Sequence, residues 1–245
     1  MKRFLKYLSI LAVLCGVSWG VLFYGILVPD FEGEISQETS PLVVFDFDGT
    51  VADSFEEAVD IVNSLSAEYD FQPIPKSEYE KVRATSLRDT LKKMGLNIWQ
   101  QFTLVKRFRE IVESKGGGHL QPISGVKKVI MDLKEKGIRI GIATTNSGKV
   151  VKAFLAHHAF PSVDFVFSKG SLFGKSRLLK KIKKEAKNAI RIAYVGDELR
   201  DIAAGKEAGL QTIAVSWGFN THALLATGKP DALVDAPGEI VGVVG

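Results

Sequence analysis

Short apolar segments alternate with helical patterns along most of this 245-residue chain, and a glycine or a polar residue follows each of them. The first is Leu42–Phe45. The further strand candidates are Ile138–Thr144, Val163–Phe167, Ile190–Val195 and Thr212–Val215, with Ala232–Val234 as a candidate edge strand. The helical patterns between them are Val126–Lys136, Lys149–His157, Ser176–Lys187 and Asp201–Ala208. This alternation predicts an α/β fold with a doubly wound parallel sheet, which binds ligands at the carboxyl ends of its strands.

A long segment without convincing strands, residues 55–122, separates the first strand from the second. Its helical candidates are Phe55–Tyr69, Lys76–Ala84, Ser86–Met94 and Trp99–Ser114. Three consecutive glycines, Gly116–Gly118, then form either a return hinge or a flexible loop. We therefore predict a catalytic core of residues 41–54 and 123–245 with a helical cap at 55–122 inserted over the carboxyl edge of the sheet.

The composition excludes several classes of protein. Hydrophobic residues make up 46% of the chain, enough for a sizeable core. A single cysteine excludes an internal disulfide and a cysteine-rich zinc site. With 32 basic and 28 acidic residues the charge is near balance, and no nucleic-acid partner is expected. The basic helix within 175–191 is interpreted as a solvated face, the alternative being contact with an anionic lipid or nucleic acid.

The N-terminus carries an uncharged apolar run, Leu8–Val28, that follows three basic residues. As a helix it would measure about 31 Å, which is enough to cross a bilayer. We predict an N-terminal transmembrane helix within 1–28 and a tether at 29–40. A cleaved signal peptide is the alternative, because Ser18 and Gly20 are small residues near a plausible cleavage point. The predicted localisation is a single-pass membrane protein with its catalytic domain outside the cytoplasm, although the cytoplasmic side stays open.

The first strand ends in the sequence DFDGTVADS, residues 46–54. Asp46 and Asp48 would point to opposite faces of a regular strand, but a turn at Gly49 allows both to reach one pocket. An aspartate can attack phosphorus as a nucleophile, and a second one can move the proton of the leaving group. The sequence therefore predicts paired carboxylate chemistry at this strand end.

Three further groups of polar residues follow later strands. Thr145 and Asn146 lie where a helix begins, and they suit either a phosphate cradle or ordinary helix caps. Lys175 could neutralise phosphoryl oxygens, although it is one lysine among many. Asp197 and Asp201 form a sparse acidic set that suits Mg²⁺, while Asp201 could instead cap the following helix.

In this order the segments resemble the motifs of the haloacid dehalogenase (HAD) superfamily, in its phosphoglycolate phosphatase-like branch with a helical cap. The DFDGT of residues 46–50 is similar to the first motif and Thr145–Asn146 to the second. Lys175 matches the third, and the GDxxxD of Gly196–Asp201 matches the fourth. The resemblance covers about residues 41–240.

The resemblance implies an Mg²⁺-dependent phosphatase that hydrolyses small phosphomonoesters through an aspartyl-phosphate. It implies that Asp46 is the nucleophile and Asp48 the general acid and base. The implied Mg²⁺ ligands are the Asp46 carboxylate, the Asp48 backbone carbonyl and Asp197, with Asp201 in support. Glu198 departs from the usual small residue, so the sequence leaves open whether it or Asp197 faces the metal.

The resemblance also implies that Thr145 and the backbone of Asn146 bind the phosphoryl group and that Lys175 offsets its charge. The expected partner is a small phosphorylated metabolite. A phosphomutase of the same superfamily is the alternative function, followed by a non-catalytic membrane-tethered binding module. Specificity is expected in the cap, where the cluster Arg83, Thr85, Ser86 and Arg88 could meet an anionic substrate or simply begin a helix.

Overall fold

The computed structural model describes residues 30–33, 35–168 and 174–244. Its strands are β1 (Asp30–Gly33), β2 (Leu42–Phe45), β3 (Ala52–Asp53), β4 (Gln121–Pro122), β5 (Arg139–Thr144), β6 (Phe165–Ser168), β7 (Ile192–Gly196), β8 (Gln211–Val215) and β9 (Ala232–Val234). The helices are α1 (Phe55–Ser64), α2 (Ser66–Tyr69), α3 (Tyr79–Arg83), α4 (Leu87–Lys93), α5 (Ile98–Lys115), α6 (Val126–Glu135), α7 (Gly148–His157), α8 (Lys175–Glu185), α9 (Leu199–Ala208), α10 (His222–Thr227) and α11 (Glu239–Val244), with a 3₁₀ turn at Lys76–Glu78.

Seven strands form the main sheet in the order β1-β6-β5-β2-β7-β8-β9. Each neighbouring pair in the series β6, β5, β2, β7, β8, β9 is parallel. β1 pairs antiparallel with β6 at one edge of the sheet. The predicted strands at Leu42–Phe45 and Ala232–Val234 are confirmed, and the others are shifted by one or two residues. The predicted parallel α/β sheet is therefore confirmed.

Helices cover both faces of the sheet because successive strand residues point to opposite sides. Val43 and Phe45 pack in the larger core cluster, which includes side chains of α6, α7 and α11. Leu42 and Val44 pack in a second cluster with α8 and α9. The central strand is thus buried on both faces, which explains its unbroken apolar sequence.

The segment between β3 and β4 consists mainly of helices α1–α5, as the sequence predicts. It has its own hydrophobic cluster, which includes Leu65, Tyr69, Leu91 and Leu104. The two-residue ladder of β3 and β4 at the base of this segment was not predicted from the sequence. A proline in so short a strand gives no periodic signal.

Part of the segment predicted as a tether, 29–40, is attached to the sheet in the described residues. β1 pairs with β6 over its four residues. Ile35 is buried in the second core cluster, and the Arg139 guanidinium donates hydrogen bonds to the carbonyl oxygens of Ser36 and Ser40. Burial of one apolar side chain and these bonds attach the segment to the sheet.

The predicted localisation also needs correction. Within residues 30–33, 35–168 and 174–244, no helix has both the length and the apolar character that spanning a bilayer requires. The structure therefore does not support a single-pass membrane protein or a membrane partner, and we do not retain either prediction. The segment 1–28, with Leu8–Val28 and the alternative cleavage residues Ser18 and Gly20, lies outside the described residues.

Candidate active site

The sequence-predicted site residues meet at the carboxyl edge of the sheet. β2 lies between β5 and β7, and Asp46 follows β2 directly, as Thr145 follows β5 and Asp197 follows β7. Because these three strands are parallel neighbours, their last residues lie side by side. Lys175 reaches the same place from the first turn of α8.

The turn after β2 brings both carboxylates of the first motif to this edge. Phe47 lies between Asp46 and Asp48, is fully buried, and packs edge-on against Phe154 with ring centroids 5.1 Å apart. Gly49 has a positive φ of 72°, and a Cβ there would lie 2.2 Å from Asp197 Oδ2. Only glycine therefore lets the turn approach Asp197 so closely.

A buried group of three acids forms the centre of the site. Carboxylate oxygens of Asp46, Asp197 and Asp201 all lie within 4.8 Å of one another. Lys175 Nζ lies 2.5 Å from Asp46 Oδ2 and also donates a hydrogen bond to Asp201 Oδ1. Burial lowers the pKa of Lys175, but the charges of Asp201 and Asp46 outweigh it and raise that pKa above its ordinary value. Lys175 is therefore a protonated cation.

The negative charge of these three carboxylates exceeds the positive charge of Lys175. Burial raises the pKa of Asp46 to about 7, Lys175 opposes this rise, and Asp201 adds to it. Burial, with the charges of Asp201 and Glu198, also raises the pKa of Asp197 well above its ordinary value. One ammonium group among three buried carboxylates leaves a negative surplus that is costly without a further cation. The all-oxygen donor set fits Mg²⁺.

Asp197, and not Glu198, faces Asp46. The Asp197 carboxylate accepts hydrogen bonds from Thr50 Oγ1 at 2.8 Å and from the Phe219 backbone N–H at 2.7 Å. Glu198 instead accepts a bond from Arg200 Nε at 2.8 Å. The sequence alone left these two acids equivalent, and the turn between β7 and α9 separates them.

Asp201 has two roles that the sequence treated as alternatives. Its Oδ1 accepts from Lys175, while its Oδ2 accepts from the Glu198 backbone N–H at 3.0 Å. It therefore caps the N-terminus of α9 and also holds Lys175 in place. Gly196 lies directly beneath it, because a Cβ there would lie 2.6 Å from Asp201 Oδ2.

Asp48 lies beside the second motif. Asn146 Nδ2 lies 3.1 Å from both Asp48 carboxylate oxygens. Burial raises the pKa of Asp48, against the opposing effect of the Asn146 hydrogen bond. The Asn146 backbone N–H, predicted to bind phosphate, donates to Thr144 Oγ1 at 2.9 Å in this structure. Thr145 lines the cavity that contains Asp48.

A connection that the sequence did not predict joins the helical segment to the loop 216–221. Arg83 Nε donates to the Gly218 carbonyl oxygen at 2.8 Å, and Arg83 Nη2 donates to the Ser216 carbonyl oxygen at 3.0 Å. The Thr221 N–H donates back to the Arg83 carbonyl oxygen at 3.1 Å. We call these contacts the Arg83 latch. Arg83 thus bonds main-chain oxygens at this loop, whereas the sequence left open a contact with an anionic substrate or an ordinary helix start.

The latch adjoins the acidic centre through Phe219. The Phe219 backbone N–H donates a hydrogen bond to the Asp197 carboxylate. The Phe219 ring packs edge-on against the Phe55 ring at a centroid distance of 5.4 Å. The guanidinium of Arg83 lies 5.8 Å from the centroid of the same Phe55 ring. The sequence signal that could have identified this loop is the run SWGFN directly after β8.

Fold and site together define a class of α/β enzymes whose acidic groups act at the strand ends. The profile described as haloacid dehalogenase-like hydrolase matches residues 43–215. The chain belongs to this family, as its motifs predict.

Three individual proteins show the extent of the similarity. The chain is 32% identical over 205 residues to the phosphoglycolate phosphatase of Synechococcus elongatus, covering 82% of this chain and 96% of the relative. It is 24% identical over 211 residues to the pyrophosphatase PpaX of Bacillus cereus, covering 82% of this chain and 95% of the relative. The crystal structure of a predicted phosphatase from Clostridium acetobutylicum has a TM-score of 0.70 at 19% identity, covers 84% of this chain and 99% of that chain, and supports the fold alone. The names of the sequence relatives support a phosphatase.

Proposed function

We propose that this protein is an Mg²⁺-dependent phosphatase that hydrolyses small phosphomonoesters through an aspartyl-phosphate. The observation that carries the proposal is the buried cluster of Asp46, Asp197 and Asp201 around Lys175, with Asp48 two residues from Asp46. A nucleophile, a proton carrier and a cation at one strand edge are the parts that phosphoryl transfer needs.

The first step forms one bond and breaks one. An Asp46 carboxylate oxygen attacks phosphorus, and the bond from phosphorus to the ester oxygen breaks. Asp48 gives its proton to the departing oxygen, for which it must begin protonated. Its raised pKa and the position that Asn146 gives it favour this state.

The second step restores the enzyme. A water molecule loses a proton to the Asp48 carboxylate and attacks phosphorus, and the bond between phosphorus and the Asp46 oxygen breaks. Phosphate leaves, Asp46 is a free carboxylate again, and Asp48 is again protonated. Lys175 stays charged throughout and offsets the negative charge of the transferring group.

The metal would be held by the Asp46 and Asp197 carboxylates and the Asp48 backbone carbonyl, with Asp201 supporting through Lys175. When bound, Mg²⁺ supplies positive charge that stabilises the phosphoryl oxygens. Thr145 and Lys175 would bind the phosphoryl group. We further propose that residues 55–122 act as the cap of a core formed by 41–54 and 123–245.

The test is hydrolysis of p-nitrophenyl phosphate, 2-phosphoglycolate and pyrophosphate, with Mg²⁺ and with EDTA. We expect phosphate release that requires Mg²⁺ and falls below detection in Asp46→Asn, because the amide cannot form the acyl phosphate. Asp60→Asn, at an exposed position of α1, is the matched control and should keep full activity. Equal rates in Asp46→Asn and the wild type would overturn the proposal.

A further inference from the structure

A cavity of about 210 Å³ lies between the helical segment and the core residues around Asp48. Asp48, Thr145 and Asn146 line it, so the cavity is continuous with the place where phosphorus would be attacked. The rest of its wall comes largely from helices α1, α4 and α5. A group attached to the phosphoryl oxygen would therefore extend into this space.

The wall that these helices contribute is mostly apolar. It includes Ile61, Val62, Leu91, Leu104 and Phe108. Leu104 and Ile61 are almost fully buried, so their side chains are held in place by packing on other sides. Such a surface stabilises a ligand by removing its apolar groups from water.

Charged residues are a minority of the lining. They are Asp48, Glu57, Arg109, Glu198 and Arg200. They comprise two arginines and three acids, and Arg200 is paired with Glu198. Glu57 in turn accepts a hydrogen bond from Lys115 Nζ at 2.9 Å. These charged groups are thus engaged with partners, and the apolar side chains make up most of the wall.

The volume indicates a leaving group of several carbons. An apolar cavity of about 150 Å³ is large enough to hold benzene, and this one measures about 210 Å³. A two-carbon leaving group would leave most of the space to water against an apolar wall. A chain or ring of about six carbons would fill it.

We infer that the preferred substrate is a phosphate monoester with an uncharged, apolar leaving group of about six carbons. This inference rests on the proposed phosphatase function and names its substrate class. The apolar wall of α1, α4 and α5 then determines specificity, while the acidic centre carries out the chemistry.

The experiment compares kcat/KM for ethyl phosphate, n-hexyl phosphate and 2-phosphoglycolate with Mg²⁺ present. The two alkyl esters have similar leaving-group chemistry and differ in apolar length, so their ratio measures the cavity. We expect n-hexyl phosphate to exceed ethyl phosphate by at least about tenfold, since a single methylene in an apolar pocket already contributes about tenfold. 2-Phosphoglycolate should be no better than ethyl phosphate.

Two variants place additional atoms in the cavity. Ala58→Leu in α1 and Thr90→Leu in α4 each enlarge a lining side chain. Each should lower kcat/KM for n-hexyl phosphate at least about fivefold more than it lowers kcat/KM for ethyl phosphate. The ethyl ester thereby reports that the variant is folded. Ala67→Leu, on an exposed face of α2 outside the cavity, is the matched control and should change neither ester.

Failure of this inference differs from failure of the proposed function. If ethyl phosphate or 2-phosphoglycolate is hydrolysed better than n-hexyl phosphate, the phosphatase stands and the apolar substrate class is wrong. The same holds if the wild type shows no preference between the alkyl esters. If no ester is hydrolysed in the presence of Mg²⁺, the proposed function itself fails.

Discussion

At the scale of single residues, the site concentrates negative charge where the fold excludes water. Asp46, Asp197 and Asp201 are each at most 3% exposed, and Lys175 is held between two of them. The protein without metal therefore contains buried carboxylates that repel one another, and a cation or a proton relieves that repulsion.

This repulsion makes the stability of the metal-free protein depend on pH. Burial raises the pKa of Asp46 from 3.8 to about 7, so between these values the folded state binds a proton that the unfolded state releases. The stabilising effect of that proton is complete at low pH and is lost as pH rises through about 7. We expect the Tm of EDTA-treated protein to fall between about pH 5.5 and about pH 8, and Asp46→Asn to reduce the fall.

The stabilisation that Mg²⁺ provides should increase with pH, opposite to the pH dependence of the metal-free protein. Protonated Asp46 is a poor ligand, so the rise in Tm on adding Mg²⁺ should be larger at about pH 8 than at about pH 5.5. Differential scanning fluorimetry measures both effects. Equal Mg²⁺ shifts at the two pH values would contradict the assignment of Asp46 as a ligand.

A second residue-scale prediction concerns Gly218. A Cβ there would lie 2.2 Å from Asp197 Oδ2 and 2.4 Å from the Gly49 carbonyl oxygen. We expect Gly218→Ala to displace the Asp197 carboxylate and lower kcat by roughly 100-fold, because small misplacements of catalytic groups have effects of that size. Gly238→Ala, with no atom within 4 Å of the added Cβ, is the control and should keep full activity. A fully active Gly218→Ala would show that this contact does not position Asp197.

At the scale of elements, the Arg83 latch connects α3 with the loop that holds Asp197. Two side-chain donors and one main-chain acceptor of Arg83 face the loop. The loop's Phe219 N–H then bonds the Asp197 carboxylate. Movement of the helical segment is therefore expected to change the geometry of the acidic centre.

Arg83→Met tests this connection. Methionine keeps the apolar stem of arginine but donates no hydrogen bond to Ser216 or Gly218. We expect the Kd for Mg²⁺, measured through the effect of Mg²⁺ on Tm, to rise roughly tenfold, which corresponds to about 1.4 kcal/mol. Lys81→Met on the same helix is the control, because Lys81 forms an exposed ion pair with Glu78. If the two variants bind Mg²⁺ equally, the latch does not position Asp197.

The elements also show how far the sequence could lead. Asp46 and Asp48 were identifiable because a buried strand runs directly into a glycine turn, which fixes where they lie. The choice between Asp197 and Glu198 depended on the path of the turn after β7, which no local pattern specifies. The role of Arg83 was not predictable, because its partners are carbonyl oxygens of residues more than 130 positions away in the chain. Main-chain acceptors have no signature in the sequence.

At the scale of the molecule, the sheet extends beyond the core that the sequence predicted. Alternation of strands and helices was sufficient to predict the parallel strands. It did not predict β1, which is short, lies at the edge and runs antiparallel to β6. Its attachment depends on Ile35 and on Arg139, which lie outside any periodic pattern.

Two truncations measure this attachment. We expect residues 30–245 to be more stable than residues 41–245 by roughly 2–3 kcal/mol, because the shorter form loses the burial of Ile35. It also exposes the edge of β6, which should promote aggregation. Urea unfolding and light scattering are the measurements. Equal unfolding free energies would mean that the first strand contributes nothing to the sheet.

The ladder of β3 and β4 places the departure of the chain from the sheet beside its return, with Ala52 opposite Pro122 and Asp53 opposite Gln121. The helical segment between β3 and β4 therefore begins and ends at the same place on the core. The length of the segment between them can therefore change without a change in the strands of the main sheet. Under the proposed function, a change in that segment would alter the choice of ester and, through Arg83, the position of Asp197.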